Sequence, residues 1–129
     1  MLEHVNISVS DPHRSAAVFT SVFDWHIRWE GPSLLGGHTV HVGTDDSYLA
    51  LYASDQAEPA AGPSNDRQTR NINHVAVLVD DLDATEQRVR DAGFEPHTFG
   101  DYEPGRRFYF DDHDGLEVEV VSYSRTIAA

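Results

Sequence analysis

Two stretches of the chain alternate apolar and polar positions in the same frame. His4-Val-Asn-Ile-Ser-Val-Ser-Asp11 and His74-Val-Ala-Val-Leu-Val-Asp-Asp81 both read H-V-x-[IV]-x-V-x-D. A period of two predicts a strand, and the closing aspartate predicts a helix cap. Pro12 then suits a first helical position, and Ala16, Phe19, Val22 and Phe23 share one helical face, which predicts a helix over His13–Asp24. In the second stretch the helix runs over Leu82–Ala92, with Gly93 as its stop. Three strands follow in each half: His26–Glu30, Thr39–Gly43 and Tyr48–Ala53, then Glu95–Phe99, Arg107–Phe110 and Leu116–Ser122.

Each half is therefore a βαβββ module, over residues 1–53 and 72–123. The segment Ser54–Asn71, with two prolines, one glycine and mostly small or polar residues, is a linker by composition, and residues 124–129 form a tail. A module of this size buries too little surface to be comfortably stable alone. The expected fold is α+β: two paired βαβββ modules sharing one core and one concavity.

Charge narrows the function classes. Fourteen aspartates and eight glutamates face nine arginines and no lysine, a formal net charge of −13 in 129 residues. Phosphate backbones and anionic lipid surfaces are repelled by such a chain, so neither nucleic acid nor membrane is an expected partner. The acidity fits simple solubility, or a saline or GC-rich source; the sharper alternative is an acidic groove for a cationic ligand. No apolar run approaches the roughly 18 residues of a membrane span, and Met1-Leu2-Glu3-His4 is no signal peptide. A cytoplasmic location is expected. The absence of cysteine and lysine removes thiolate ligands, cysteine nucleophiles and Schiff-base chemistry.

The repeat places a histidine at the same point of each first strand. His4 shares a strand face with Asn6 and Ser8, opposite Val5, Ile7 and Val9, and His74 repeats this beside Ala76. With the apolar face under the helix, both histidines turn to the concave side. In the last strand Leu116, Val118 and Val120 belong under the helix, which turns Glu119 the other way. His4, His74 and Glu119 would make a 2-His-1-carboxylate site with open positions. The plainer alternative is a pair of hydrogen-bonded histidines and a solvated glutamate.

Tyr109 and Arg107 oppose Phe108 and Phe110 and are expected to point inward. Tyr109 is a proton donor or a cavity wall; Arg107 is a clamp for a substrate carboxylate or enolate, or a structural partner of Glu117. Thr39 and His41 oppose Val40 and Val42, making His41 a candidate acid/base residue or a support for the metal site. Asn6, Thr39, Tyr48, Ala50, Tyr52 and Glu117 are expected to line the pocket. His13, His26, His38, His97 and His113 read as surface or turn residues, and Trp25 and Trp29 as packing.

The two repeated segments, the helix of His13–Asp24 and the ending Phe108-Tyr-Phe-Asp-Asp-His-Asp-Gly-Leu-Glu-Val-Glu119 resemble the vicinal oxygen chelate superfamily over about residues 2–123. That group contains glyoxalase I, fosfomycin-resistance proteins, type I extradiol dioxygenases, methylmalonyl-CoA epimerase and bleomycin-resistance proteins. The resemblance implies paired βαβββ modules, often a homodimer, and one divalent metal ion per chain (Fe, Mn, Zn, Ni or Co) that chelates vicinal oxygens of a small-molecule substrate. Carried over by position, the ligands are His4, His74 and Glu119, and the fourth position, a carboxylate in glyoxalase I, is Ala50. Tyr109, Asp112, Gly115 and Glu119 match the extradiol signature, whereas His113 stands where that signature has proline. A metal-dependent enzyme, dioxygenase-like chemistry included, is the first expectation. A non-catalytic drug-binding protein of the bleomycin-resistance type, with an acidic cleft, is the second.

Overall fold

The computed structural model describes residues 1–33, 36–55, 72–102 and 104–123. The chain divides into two compact units, Met1–Ala60 and Ala61–Ala129. The expected linker, apart from Ser54 and Asp55, and the expected tail lie outside the described residues.

The first unit runs β1 (His4–Ser8), α1 (Pro12–Phe23), β2 (His26–Pro32), β3 (His38–Gly43) and β4 (Tyr48–Ala53). The second runs β5 (Val75–Leu78), α2 (Leu82–Asp91), β6 (His97–Tyr102), β7 (Gly105–Asp111) and β8 (Glu117–Ser122). Each is a four-stranded sheet, ordered β1-β4-β3-β2 and β5-β8-β7-β6. The first and last strands of each unit pair in parallel, which is possible because the helix and two strands intervene. The rest of each sheet is antiparallel. The α+β class and the module order agree with the sequence pattern.

Both helices begin where the aspartates predict. Asp11 accepts hydrogen bonds from the amides of His13 and Arg14 at 3.1 and 3.3 Å, with Pro12 at the first position, and Asp81 accepts from the amide of Ala84 at 3.0 Å. Gly93 closes the second helix at φ 94°, a backbone conformation that side-chain-bearing residues avoid. Helix α1 buries Ala16, Phe19 and Val22 against Val40, Val42, Leu49 and Leu51, and α2 buries Leu82 and Val89 over β7 and β8. Every one of these residues comes from the helix-facing set of its strand or helix.

The edge strand β6 departs from expectation. It occupies His97–Tyr102 rather than Glu95–Phe99, with a register shift between His97 and Gly100 and Thr98 at φ 54°. Half-exposed and without a clean alternation, its segment carried no periodic signal. Its neighbour β7, at Gly105–Asp111, and the edge strand of the first sheet, β2, at His26–Pro32, are slightly longer than expected.

Candidate functional site

Each sheet has one face under its helix and one open face, and the chemistry stands on the open faces. In the second unit, register aligns Ala76, Glu119 and Tyr109 side by side across β5, β8 and β7, with His97 next on β6. Glu119 is only 6% exposed. Its Oε1 lies 3.0 Å from His74 Nε2, and its Oε2 accepts a hydrogen bond from Arg107 Nη1 at 2.8 Å. Two residues singled out from the repeat and the alternation thus meet in space. The plainer reading of Glu119 as solvated is overturned, because β8 is an inner strand of its sheet.

Arg107 pairs with Glu119, not with Glu117 as the structural alternative had it. Register explains the choice: Glu117 stands opposite Asp111, four residues along β7 from Arg107, whereas Glu119 stands opposite Tyr109, only two away. Arg107 Nη2 also donates to the carbonyls of Tyr102 and Gly105, both at 3.1 Å, and its guanidinium lies 4.0 Å from the Tyr102 ring centroid. The arginine therefore fixes the carboxylate that His74 faces. Tyr109 meets His74 edge-on, ring centroids 5.7 Å apart. Burial first, and then the charge of Glu119, push the Tyr109 phenol above its ordinary range, so it keeps its proton at neutral pH. A cavity of about 240 Å³ is lined by His74, Tyr109, Arg107, Glu117, Tyr102 and Phe99, among others.

The turn that delivers Glu119 is built by the signature residues. Asp112 is buried and accepts hydrogen bonds from the amides of Asp114 and Leu116, both at 2.9 Å, while Gly115 takes φ 78°. His113 stands in this turn, as expected, with its side chain only 7% exposed.

The open face of the first unit carries His4, Asn6, Thr39, His41, Tyr48, Ala50 and Tyr52 around a cavity of about 560 Å³, as the alternation requires. The Tyr48 ring stacks near both His4 and His41, with centroids 4.9 and 4.4 Å away and the two imidazoles 6.4 Å apart, and Arg28 lies 4.5 Å over the Tyr48 ring. Burial lowers the pKa of His41, with further lowering by the nearby charges of His4 and Arg28. Trp25 stacks on Phe19 as a packing residue. Trp29 does not pack inward: it is 50% exposed and leans on His41 at 5.0 Å, lining the cavity. The register shift between Ile27 and Trp29 aligns the tryptophan with His41 on the open face.

Two groups among the described residues gather three metal-ligating atoms within 4.8 Å: His13, Glu30 and His38, and His97, Asp111 and Glu117. Neither was legible as a cluster in the sequence, because each is assembled from three separate elements. Within the second, His97 Nε2 lies 3.3 Å from Asp111 Oδ2.

Residues 1–120 match the model of the Glyoxalase/Bleomycin resistance protein/Dioxygenase superfamily, and the chain belongs to that family. Among solved structures it is similar to a glyoxylase/bleomycin resistance protein/dioxygenase domain from Frankia sp. EAN1pec, at 21% identity and TM-score 0.77, covering 95% of this chain and 90% of that one. It is also similar to the fosfomycin resistance protein FosX from Mesorhizobium loti, at 24% identity and TM-score 0.69, covering 94% and 90%. A third likeness is TnmS3, an antibiotic binding protein from Streptomyces sp. CB03234, at 16% identity and TM-score 0.68, covering 95% and 94%. These likenesses show the fold. No curated protein matches the sequence. None of the helices among the described residues is long and apolar enough to cross a membrane.

Proposed function

We propose that the chain is a divalent-metal-dependent enzyme acting on a small substrate with two neighbouring oxygens. His74 and Glu119 are two of the protein ligands. The observation that carries this reading is the 3.0 Å approach of His74 Nε2 to Glu119 Oε1 on an inner strand, with the other carboxylate oxygen already held by Arg107. The donor types fit. A nitrogen and an oxygen bound to one ion of the zinc type at about 2.1 Å each stand roughly 3.4 Å apart in a tetrahedral site, a small movement from the present spacing. Arg107 serves as the supporting partner that orients a ligating carboxylate.

A divalent ion so held supplies Lewis-acid polarisation of substrate oxygens. The protein's own groups do the rest. Arg107, engaged with Glu119 and two backbone carbonyls, positions the ligand. Tyr109, retaining its proton, donates a hydrogen bond to a substrate oxygen in the adjoining cavity. The test is elemental analysis of protein purified without added metal, followed by calorimetry with Fe, Mn, Co, Ni and Zn on the wild type, His74→Ala and Glu119→Gln. Each variant is expected to bind one ion per chain fewer than the wild type, with folding intact. Equal uptake by wild type and both variants, or no uptake by any, defeats the reading.

A second reading, drug sequestration without catalysis, is favoured by the aromatic wall of the first unit, where Trp29, His41, Tyr48 and His4 present successive rings to an open cavity. Such a wall takes flat cationic ligands. Bleomycin binding that quenches tryptophan fluorescence, weakens with salt and survives His74→Ala supports this reading over the enzyme.

A further inference from the structure

We propose a second metal-binding site, for a divalent transition cation of the zinc type, formed by His13, Glu30 and His38 on the helix side of the first sheet. His13 stands in the first turn of α1, Glu30 on β2 and His38 at the start of β3. Register puts Glu30 opposite the buried Val40 and His38 opposite Pro32, so both belong to the face that α1 covers. His41 and Thr39, with alternate parity, belong to the other face. The site therefore lies across the sheet from the cavity of the first unit and uses none of its residues. It stands independently of the function proposed above.

The geometry is convergent. His13 Nε2 lies 2.7 Å and His38 Nε2 3.0 Å from the same oxygen, Glu30 Oε1, and the two imidazole rings stack with centroids 5.4 Å apart. All three ligand atoms fall within 4.8 Å of one another. In a tetrahedral site with bonds of about 2.1 Å, neighbouring ligand atoms are roughly 3.4 Å apart, so each nitrogen has less than about 1 Å to retreat. The side chains are 57%, 40% and 40% exposed, which leaves them room to do so and leaves the ion accessible from solvent.

The chemistry of the donors selects the ion. Two imidazole nitrogens and one carboxylate suit zinc, nickel or copper rather than calcium or magnesium, which prefer all-oxygen shells. The positive end of α1, which by itself opposes a cation, is met by the Asp11 carboxylate accepting from the first-turn amides. Three protein ligands leave at least one position for water. A bound ion ties the start of α1 to the β2–β3 edge, so its binding stabilises the native state.

The experiment uses Zn(II) on the full chain carrying His74→Ala, which removes the other proposed site. Calorimetry should show one zinc equivalent, and Zn(II) should raise the melting temperature. Adding His38→Ala or Glu30→Gln should weaken the affinity at least tenfold and abolish the thermal shift, with far-UV circular dichroism unchanged. His13→Gln serves as a third probe that leaves the strands untouched. Imidazole nitrogen resonances of His13 and His38 should move on titration while those of His41 stay. Failure of the His74→Ala protein to bind zinc, or binding that survives His38→Ala and Glu30→Gln, overturns the site. Loss of metal from the wild type on His74→Ala bears only on the proposed enzyme centre, so the two proposals fail separately.

Discussion

Adjacent arginines on β7 offer a test of what holds the second open face in place. Arg106 has a side chain 48% exposed and reaches Asp83 at 3.0 Å, whereas Arg107 has one 10% exposed and is bound to Glu119. Arg107→Met keeps an unbranched side chain and removes every donor. It deletes one charge-assisted hydrogen bond to Glu119 and two to the carbonyls of Tyr102 and Gly105. At about 1.5–3 kcal/mol for a bond to a charged group and about 1 kcal/mol for each other bond, the loss is about 3–5 kcal/mol. Removing one partner of a buried ion pair gives the same range, because the remaining charge is stranded. Against a total stability of about 5–15 kcal/mol this is large. Urea unfolding of Arg107→Met, Glu119→Gln, the double variant and Arg106→Met measures it. Arg106→Met should cost less than about 1 kcal/mol, as exposed pairs do. The double variant should lose less than the sum of its parts, since Glu119→Gln removes the stranded charge. If both arginine variants cost the same, or the double variant is additive, the ion pair is not what secures this face.

Other consequences follow from the turns and the first open face. Asp112→Ala, which strips the acceptor of two buried amides, should destabilise by about 2–4 kcal/mol in the same assay. Burial raises the Asp112 carboxyl above its ordinary 3.8 despite its hydrogen bonds, so the native state holds that proton more tightly than the unfolded chain. Its contribution is then greatest below about pH 3.8 and is lost as pH rises through the folded value; Asp112→Asn should flatten that part of the acid stability profile, and an unchanged profile refutes the assignment. His41, lowered chiefly by burial, should titrate below 6.5 by NMR, and Trp29→Ala, which uncovers its ring, should move the midpoint upward. Ala50→Glu puts a carboxylate on the strand that pairs with β1 and should tighten metal binding while reducing any activity that needs the open position; calorimetry and turnover read the two effects separately.

What the sequence determined by itself is local. The two strand–cap–helix segments were legible because alternation, an aspartate cap and Pro12 or Gly93 act within a few residues of one another. The side assignments of His4, His41, Tyr109 and Glu119 followed from the same two-residue period, since a strand that buries one face must open the other. What the tertiary structure decided is which open-face residues meet. The partner of Arg107 depends on the β7–β8 register, which places Glu119 rather than Glu117 within reach. The outward swing of Trp29 depends on an irregular step in β2 that no periodicity announces. The joining of His13, Glu30 and His38 needs a helix start and two strands brought to one edge, so three histidine- and glutamate-bearing segments that looked like plain surface become one cluster only after the sheet has formed. Strand alternation says which way a side chain points; only pairing across the sheet says what it points at.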